Sequence, residues 1–239
     1  MSDQSTKPFR FKQFEVLQSR SAMRVGTDSV LLGAWADVNL AKSILDVGTG
    51  TGVIALLCAQ RNASAKIDAI EIDEGSAEDA FENFGNSPWS GNLRLHRGDY
   101  LKIVSDRKFD LVISNPPYFS QSLRSTDPVR NAARHDDRLP AEAFMIKTKE
   151  ILQRDGIIAL IFPKNQLDRW TSAALNMGFY VQRICHVFTL ANKDSYLVMA
   201  EFAAQHTSES KVETLVIENQ PGEYTAMYKE LTKPYYTKW

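Results

Sequence analysis

Cysteine is nearly absent from this sequence: Cys58 and Cys185 are the only two, and both fall in apolar stretches. They form no C-x-x-C pair and no metal-ligand spacing, which excludes a disulfide scaffold or a structural zinc site. They read as small core residues, and a reducing, cytoplasmic compartment is expected. His96, His186 and His206 read as structural or exposed, and no transition metal is called for. There is no run of about 18 apolar residues, the length a membrane helix needs. The start, Met1–Lys7, is polar and lacks the apolar block of a secretory signal. Repeats and low-complexity tracts are missing too. So is an excess of one charge: 28 Lys and Arg oppose 29 Asp and Glu, for a net charge of -1. That total does not advertise a nucleic-acid partner, although a pattern can hide within it.

What is present is a core. Hydrophobic residues make up 44% of the 239 residues, enough for one large domain or one domain with a small extension. Charge is uneven along the chain. Residues 1–26 hold Lys7, Arg10, Lys12, Arg20 and Arg24, whereas Asp68 to Glu82 is acidic, so oppositely charged faces are one expectation. From residue 43 short apolar runs alternate with helical spacing. Strands are predicted at Ser43–Val47, Lys66–Ile72, Leu93–His96, Phe109–Ser114 and Ile157–Phe162. Helices are predicted at Thr51–Arg61, Glu74–Phe84, Ala141–Leu152 and Asn165–Asn176. The second of these is expected to bury Ala77, Ala80, Phe81 and Phe84. Phe179–Phe188 and Ser195–Phe202 read as two strands with no helix between them, hence an antiparallel hairpin at the sheet edge. The fold class is α/β, a doubly wound, mostly parallel sheet. Three segments are expected: 1–42 as an extension, 43–206 as the core, and 207–239 as an aromatic tail after the linker-like Gln205–Lys211.

The first predicted strand runs into Asp46-Val47-Gly48-Thr49-Gly50-Thr51-Gly52 and then a helix. Glycines let backbone approach a ligand, and the helix N-terminus favours an anionic group. A dinucleotide site wants G-x-G-x-x-G; here the third glycine comes one residue early, which argues against a nicotinamide-dependent oxidoreductase. Asp46 suits a ligand with an ammonium group. Glu71, ending the second strand, suits ribose hydroxyls. Asp99, after the third strand and Gly98, suits an adenine amino group.

The fourth strand ends in Asn115-Pro116-Pro117-Tyr118. An amine conjugated to a ring is a poor nucleophile, because its lone pair is delocalised. Two acceptors that take its protons, the Asn115 side-chain oxygen and the Pro116 carbonyl, draw the nitrogen toward a tetrahedral shape. The prolines stiffen the bend so that both are aimed in advance. Tyr118 offers a face on which a flat base can stack.

The Asp46–Gly52 loop with Glu71 and Asp99 resembles the class I methyltransferases. The resemblance implies S-adenosylmethionine as cofactor, S-adenosylhomocysteine as product, and a Rossmann-like sheet. It makes Asp46, Gly48, Thr49, Gly50, Gly52, Glu71, Ile72, Asp99 and Asn115 cofactor contacts. N-P-P-Y resembles the motif of amino-methyltransferases acting on adenine, cytosine or glutamine amides, with Asn115, Pro116, Pro117 and Tyr118 catalytic. Three further segments, Met23–Trp35, Arg130–Asp136 and Asn192–Tyr196, together with Tyr224–Leu231, extend the likeness over nearly the whole chain. With them the sequence resembles the bacterial tRNA1(Val) adenine-N6 methyltransferases, which modify the adenine 3′ of the anticodon. This implies that Val25, Thr27 and Asp28 cover the methionine end of the cofactor; Asp28 also reads, by its residue type, as a helix N-cap. It further implies that the loop carrying Arg134 and His135 meets tRNA, that the target base is flipped out, and that no membrane or metal takes part. The tyrosine-rich tail packs on the core or stacks on RNA. The sequence sets no oligomeric state, a monomer being the default. Rival readings are glutamine N5-methylation of a protein, adenine N6-methylation of rRNA or DNA, and a noncatalytic cofactor- or RNA-binding module. About forty residues before the sheet leave little room for the helical domain usual in the glutamine enzymes.

Overall fold

The computed structural model describes residues 7–21, 23–117 and 139–238. Tyr118, Arg134 and His135 therefore lie outside the described residues. Two short strands, β1 (Phe9–Arg10) and β2 (Glu15–Val16), pair antiparallel ahead of the main body. Helix α1 (Thr27–Trp35) follows. Strand and helix then alternate through β3 (Ser43–Val47), α2 (Val53–Arg61), β4 (Lys66–Glu71), α3 (Glu74–Gly85), β5 (Leu93–Arg97) and β6 (Phe109–Ser114). Next come α4 (Ala141–Ile151), β7 (Leu152–Pro163), α5 (Leu167–Asn176), β8 (Tyr180–Leu190) and β9 (Leu197–Ala203). The chain closes with β10 (Lys211–Gln220), β11 (Glu223–Tyr224) and α6 (Ala226–Thr232).

The main sheet has the order β11-β10-β8-β9-β7-β6-β3-β4-β5. Strands β3 to β7 run parallel, β9 is antiparallel to both its neighbours, and β10 is parallel to β8. The apolar strand runs explain why: each central strand is covered on both faces. Along β3, β6 and β7 the residues alternate between two cores. Ile44, Leu111, Ile113, Ala159 and Ile161 join α1, α2 and α6, whereas Leu45, Val112, Ile158, Leu160 and Phe162 join α4 and α5. After β3 the chain moves outward through β4 and β5, then returns to place β6 on the other side of β3. That reversal leaves a crevice at the carboxyl ends of β3 and β6, the usual binding position in such sheets.

Several details depart from the sequence expectations. The antiparallel hairpin β8–β9 is present, but it is not the edge of the sheet, which continues past it through β10 and β11. Val212–Ile217, which reads as a short apolar run, lies within β10. The tail packs inward: Tyr228 and Tyr235 are buried, and Phe11 bridges to Tyr236. Asp28 is not the N-cap of α1. Gly26 holds that place in an extended conformation, and Asp28 sits in the first turn. Phe81 is 64% exposed, although Ala77, Ala80 and Phe84 are buried. The buried face of α3 instead includes Asp79 and Asn83, because the amino-terminal arm lies on them.

That arm also answers the uneven charge. Arg20 reaches Glu78, Asp79 and Glu82 of α3 within 3.5 Å, so at this point basic and acidic stretches join each other. Asp79, fully buried, accepts from the Arg20 and Ser21 backbone N–H groups and the Ser21 hydroxyl, each at 2.9 Å. Asn83 accepts from Leu17 N–H at 2.7 Å and donates to the carbonyls of Leu17 and Thr51. Gly75 lets the arm pass closely, since a Cβ there would stand 2.6 Å from the Arg20 carbonyl oxygen.

Candidate active site

The crevice holds a cavity of about 210 Å³, partly open to solvent. It is lined from successive strand ends: Val47, Gly48 and Gly50 after β3; Glu71, Ile72 and Asp73 after β4; Gly98, Asp99 and Tyr100 after β5; Asn115 and Pro117 after β6. The arm adds Met23, α3 adds Ser76, and Leu139 borders the far side.

The glycine loop is built for a close approach. Gly48, Gly50 and Gly52 all have positive φ, at 67°, 57° and 84°. A Cβ on Gly48 or Gly50 would meet no atom of the described residues within 4 Å, so this backbone faces open space. Gly52 is different: its Cβ would lie 2.5 Å from the Phe84 ring, so glycine there serves helix packing. The loop is pinned from β4, with the N–H groups of Gly48 and Thr49 donating to the Ile70 carbonyl.

Glu71 makes the second tie. One carboxylate oxygen accepts from Gly50 N–H at 2.8 Å, and the other accepts from the N–H groups of Ile72 and Asp73. Asp99 begins a 3-10 turn, accepting from Leu101 N–H at 3.0 Å, with Lys102 Nζ at 3.2 Å. Asp46 does not line the cavity. It is fully buried beneath the loop, where Oδ2 accepts from the Thr49 hydroxyl at 2.5 Å and from Ala55 N–H at 3.1 Å. Asp46 thus caps α2, whose own N-cap, Gly52, has no side chain. Burial pushes its pKa up to about 7, against the lowering effect of those two hydrogen bonds. Thr49 points inward to Asp46 and is buried too.

Asn115 sits where β6 leaves the sheet. Its Nδ2 donates to the Ser29 hydroxyl of α1 at 3.2 Å. Its Oδ1 is buried and has no hydrogen-bond partner among the described residues. Pro116 is buried behind it, while Pro117 is exposed at the cavity. Among the described residues there is no cluster of His, Cys, Asp or Glu that could hold a metal ion.

Residues 18–179 match the methyltransferase small domain family. A tRNA1(Val) (adenine(37)-N6)-methyltransferase of Bacteroides thetaiotaomicron is 41% identical over 229 residues, covering 95% of this chain and 96% of the relative. One of Vibrio vulnificus strain YJ016 is 38% identical over 233 residues, covering 98% and 97%. The chain belongs to the tRNA1(Val) (adenine(37)-N6)-methyltransferase family. In fold it is similar to a predicted O-methyltransferase of Agrobacterium tumefaciens, with a TM-score of 0.67 at 19% identity over 87% of this chain and 96% of that one.

As a tRNA1(Val) adenine-N6 methyltransferase family member, the chain uses S-adenosylmethionine. The residues present fit that group: open space in front of Gly48 and Gly50 admits it, and Glu71 and Asp99 lie in the cavity wall. Of the expected contacts, Gly48, Gly50, Glu71, Ile72, Asp99 and Asn115 line the cavity. Gly52, Thr49 and Asp46 support it from below. Val25, Thr27 and Asp28 are not part of the lining; Val25 is tied back by its N–H to Gln18 Oε1 at 3.0 Å. Sequence reasoning missed Met23, Ser29, Asp73 and Ser76. Only their nearness in the fold marks them, because no spacing rule links an arm or an α1 hydroxyl to the end of β6.

Proposed function

We propose that this chain methylates N6 of the adenine 3′ of the anticodon in a valine tRNA, with Asn115 Oδ1 and the Pro116 carbonyl accepting the two amino protons. The main support is the buried, unpartnered Oδ1 of Asn115 at the border of the cofactor cavity. A buried acceptor without a donor costs about 1–3 kcal/mol, a cost offset when a substrate N–H arrives. When bound, S-adenosylmethionine supplies a methyl group activated on sulfur and leaves as S-adenosylhomocysteine.

The protein's part is holding and aiming. Glu71 takes the ribose hydroxyls, Asp99 the adenine amino group, and Ile72 packs against the nucleoside. The open space in front of Gly48 and Gly50 would take the methionine end of the cofactor. Asp46 and Thr49 keep that loop in shape, and Val25, Thr27 and Asp28 shield the methionine end. Asn115 and Pro116 draw the amine out of conjugation, while Pro117 and Tyr118 give the flipped base a surface to stack on. No strong base is required, since the methylated nitrogen is acidic and sheds its proton to water. The loop with Arg134 and His135 holds RNA phosphates, and the enzyme works in the cytoplasm. No helix among the described residues is long and apolar enough to cross a membrane.

The test is transfer of labelled methyl to unmodified RNA pools and to protein, followed by nucleoside mapping. N6-methyladenosine at the one anticodon-loop position is expected. Label in protein and none in RNA would refute the substrate.

A further inference from the structure

The Asn115 amide has two chemically opposite ends, and only its oxygen can accept a proton from the substrate amine. Once that oxygen is engaged, the NH2 end needs an acceptor of its own, or the amide is free to swing on its last torsion, which is broad in asparagine. The acceptor is on a different element. Ser29, in the first turn of α1, takes the Nδ2 hydrogen at 3.2 Å, 86 residues away in sequence. Helix α1 is a rigid mount: Val30, Leu31 and Leu32 beside Ser29 are buried, and Gly33 packs so tightly that a Cβ would stand 2.8 Å from the Leu57 side chain. The Asn115 oxygen, meanwhile, is buried and unpartnered among the described residues.

We propose that Ser29 is a positioning residue for methyl transfer, tethering the NH2 end of Asn115 so that Oδ1 stays fixed on the substrate amine. This rests on the reading that Asn115 Oδ1 accepts an N6 proton. Ser29 touches no reacting atom; it acts through the amide. A hydrogen bond that matters most when the amide is aimed lowers kcat when removed and leaves binding alone.

The experiment measures methyl transfer to an unmodified valine tRNA transcript, S-adenosylhomocysteine affinity by calorimetry, and thermal midpoint, for Ser29→Ala, Ser29→Thr and Asn115→Ala. Alanine suits a helix, so folding is preserved. For Ser29→Ala we expect kcat to fall about fivefold to tenfold, the scale of one neutral hydrogen bond. KM for tRNA and cofactor affinity should stay within about twofold of wild type, and Ser29→Thr, which keeps the acceptor, should recover most of the rate. A wild-type kcat in Ser29→Ala, equal losses in the alanine and threonine variants, or a loss carried by KM or cofactor affinity would each overturn the proposal. If Ser29→Ala is unimpaired while Asn115→Ala is dead, only the role of Ser29 falls. If Asn115→Ala itself turns over normally, the reading beneath it falls as well.

Discussion

A carboxylate with no solvent exposure needs a reason to be there, and for Asp46 the reason is the loop above it. Its Oδ2 holds the Thr49 hydroxyl and the α2 N-terminus, while its Oδ1 has no partner among the described residues. Burial raises the pKa to about 7, so the folded protein binds this proton more tightly than the unfolded chain, where an aspartate titrates near 4. The associated stability is full below about pH 4 and is lost as pH rises through about 7. The thermal midpoint of the ligand-free protein should therefore drop between pH 5 and pH 8, and Asp46→Asn should flatten that slope. Melting curves at four pH values decide it; equal slopes in both proteins would show that Asp46 is not the group responsible. At Asn115 the expectation is catalytic. Asn115→Ala should lower kcat by about 100-fold or more, in the range of a lost transition-state acceptor, while calorimetry shows S-adenosylhomocysteine affinity nearly unchanged. A parallel loss of affinity would move Asn115 from the substrate to the cofactor.

At the scale of elements, the amino-terminal arm and α3 work as one unit. Asp79 and Asn83 replace the water lost by the backbone of Leu17, Arg20 and Ser21, and the arm then places Met23 in the cavity wall. Asp79→Ala strips two backbone N–H groups and a hydroxyl of their acceptor in a place largely closed to water. Cofactor affinity should weaken about tenfold, roughly the effect of one or two such bonds, with little change in far-ultraviolet circular dichroism. Unchanged affinity would show that the arm contributes nothing to binding. Its place on α3 was not readable from periodicity. Ala77, Ala80 and Phe84 mark one apolar stripe, but Asp79 and Asn83 are polar residues buried by a segment some 60 positions earlier.

Across the whole molecule, Lys211 to Tyr224 extend the sheet and the residues after them pack on the core. β10 extends it beyond β8, burying Leu215 and Ile217, and α6 brings Tyr228 against the core. Glu213 accepts from the Trp35 indole at 2.8 Å, and Arg183 lies 3.9 Å over that ring, joining β10, β8 and α1. Ending the chain after Gln205 should uncover this apolar face and yield aggregated protein or a sharply lower melting midpoint. A soluble truncated protein with the wild-type midpoint would show the tail to be dispensable. Alternation of strand and helix was legible in the chain because β3, β6 and β7 are covered on both faces and each helix keeps an apolar side. The glycine loop, Glu71, Asp99 and Asn115 were legible because strand ends on one edge of a parallel sheet must converge. Local patterning by itself thus determined the alternating elements from Ser43 to Ala203, their order and the kind of chemistry at their ends. Tertiary structure alone decided that Asp46 lies under the loop, that Ser29 meets Asn115, that the arm lies along α3, and that the tail is a strand. These contacts join residues far apart in sequence, and their free energy comes from excluding water between surfaces that no local period encodes.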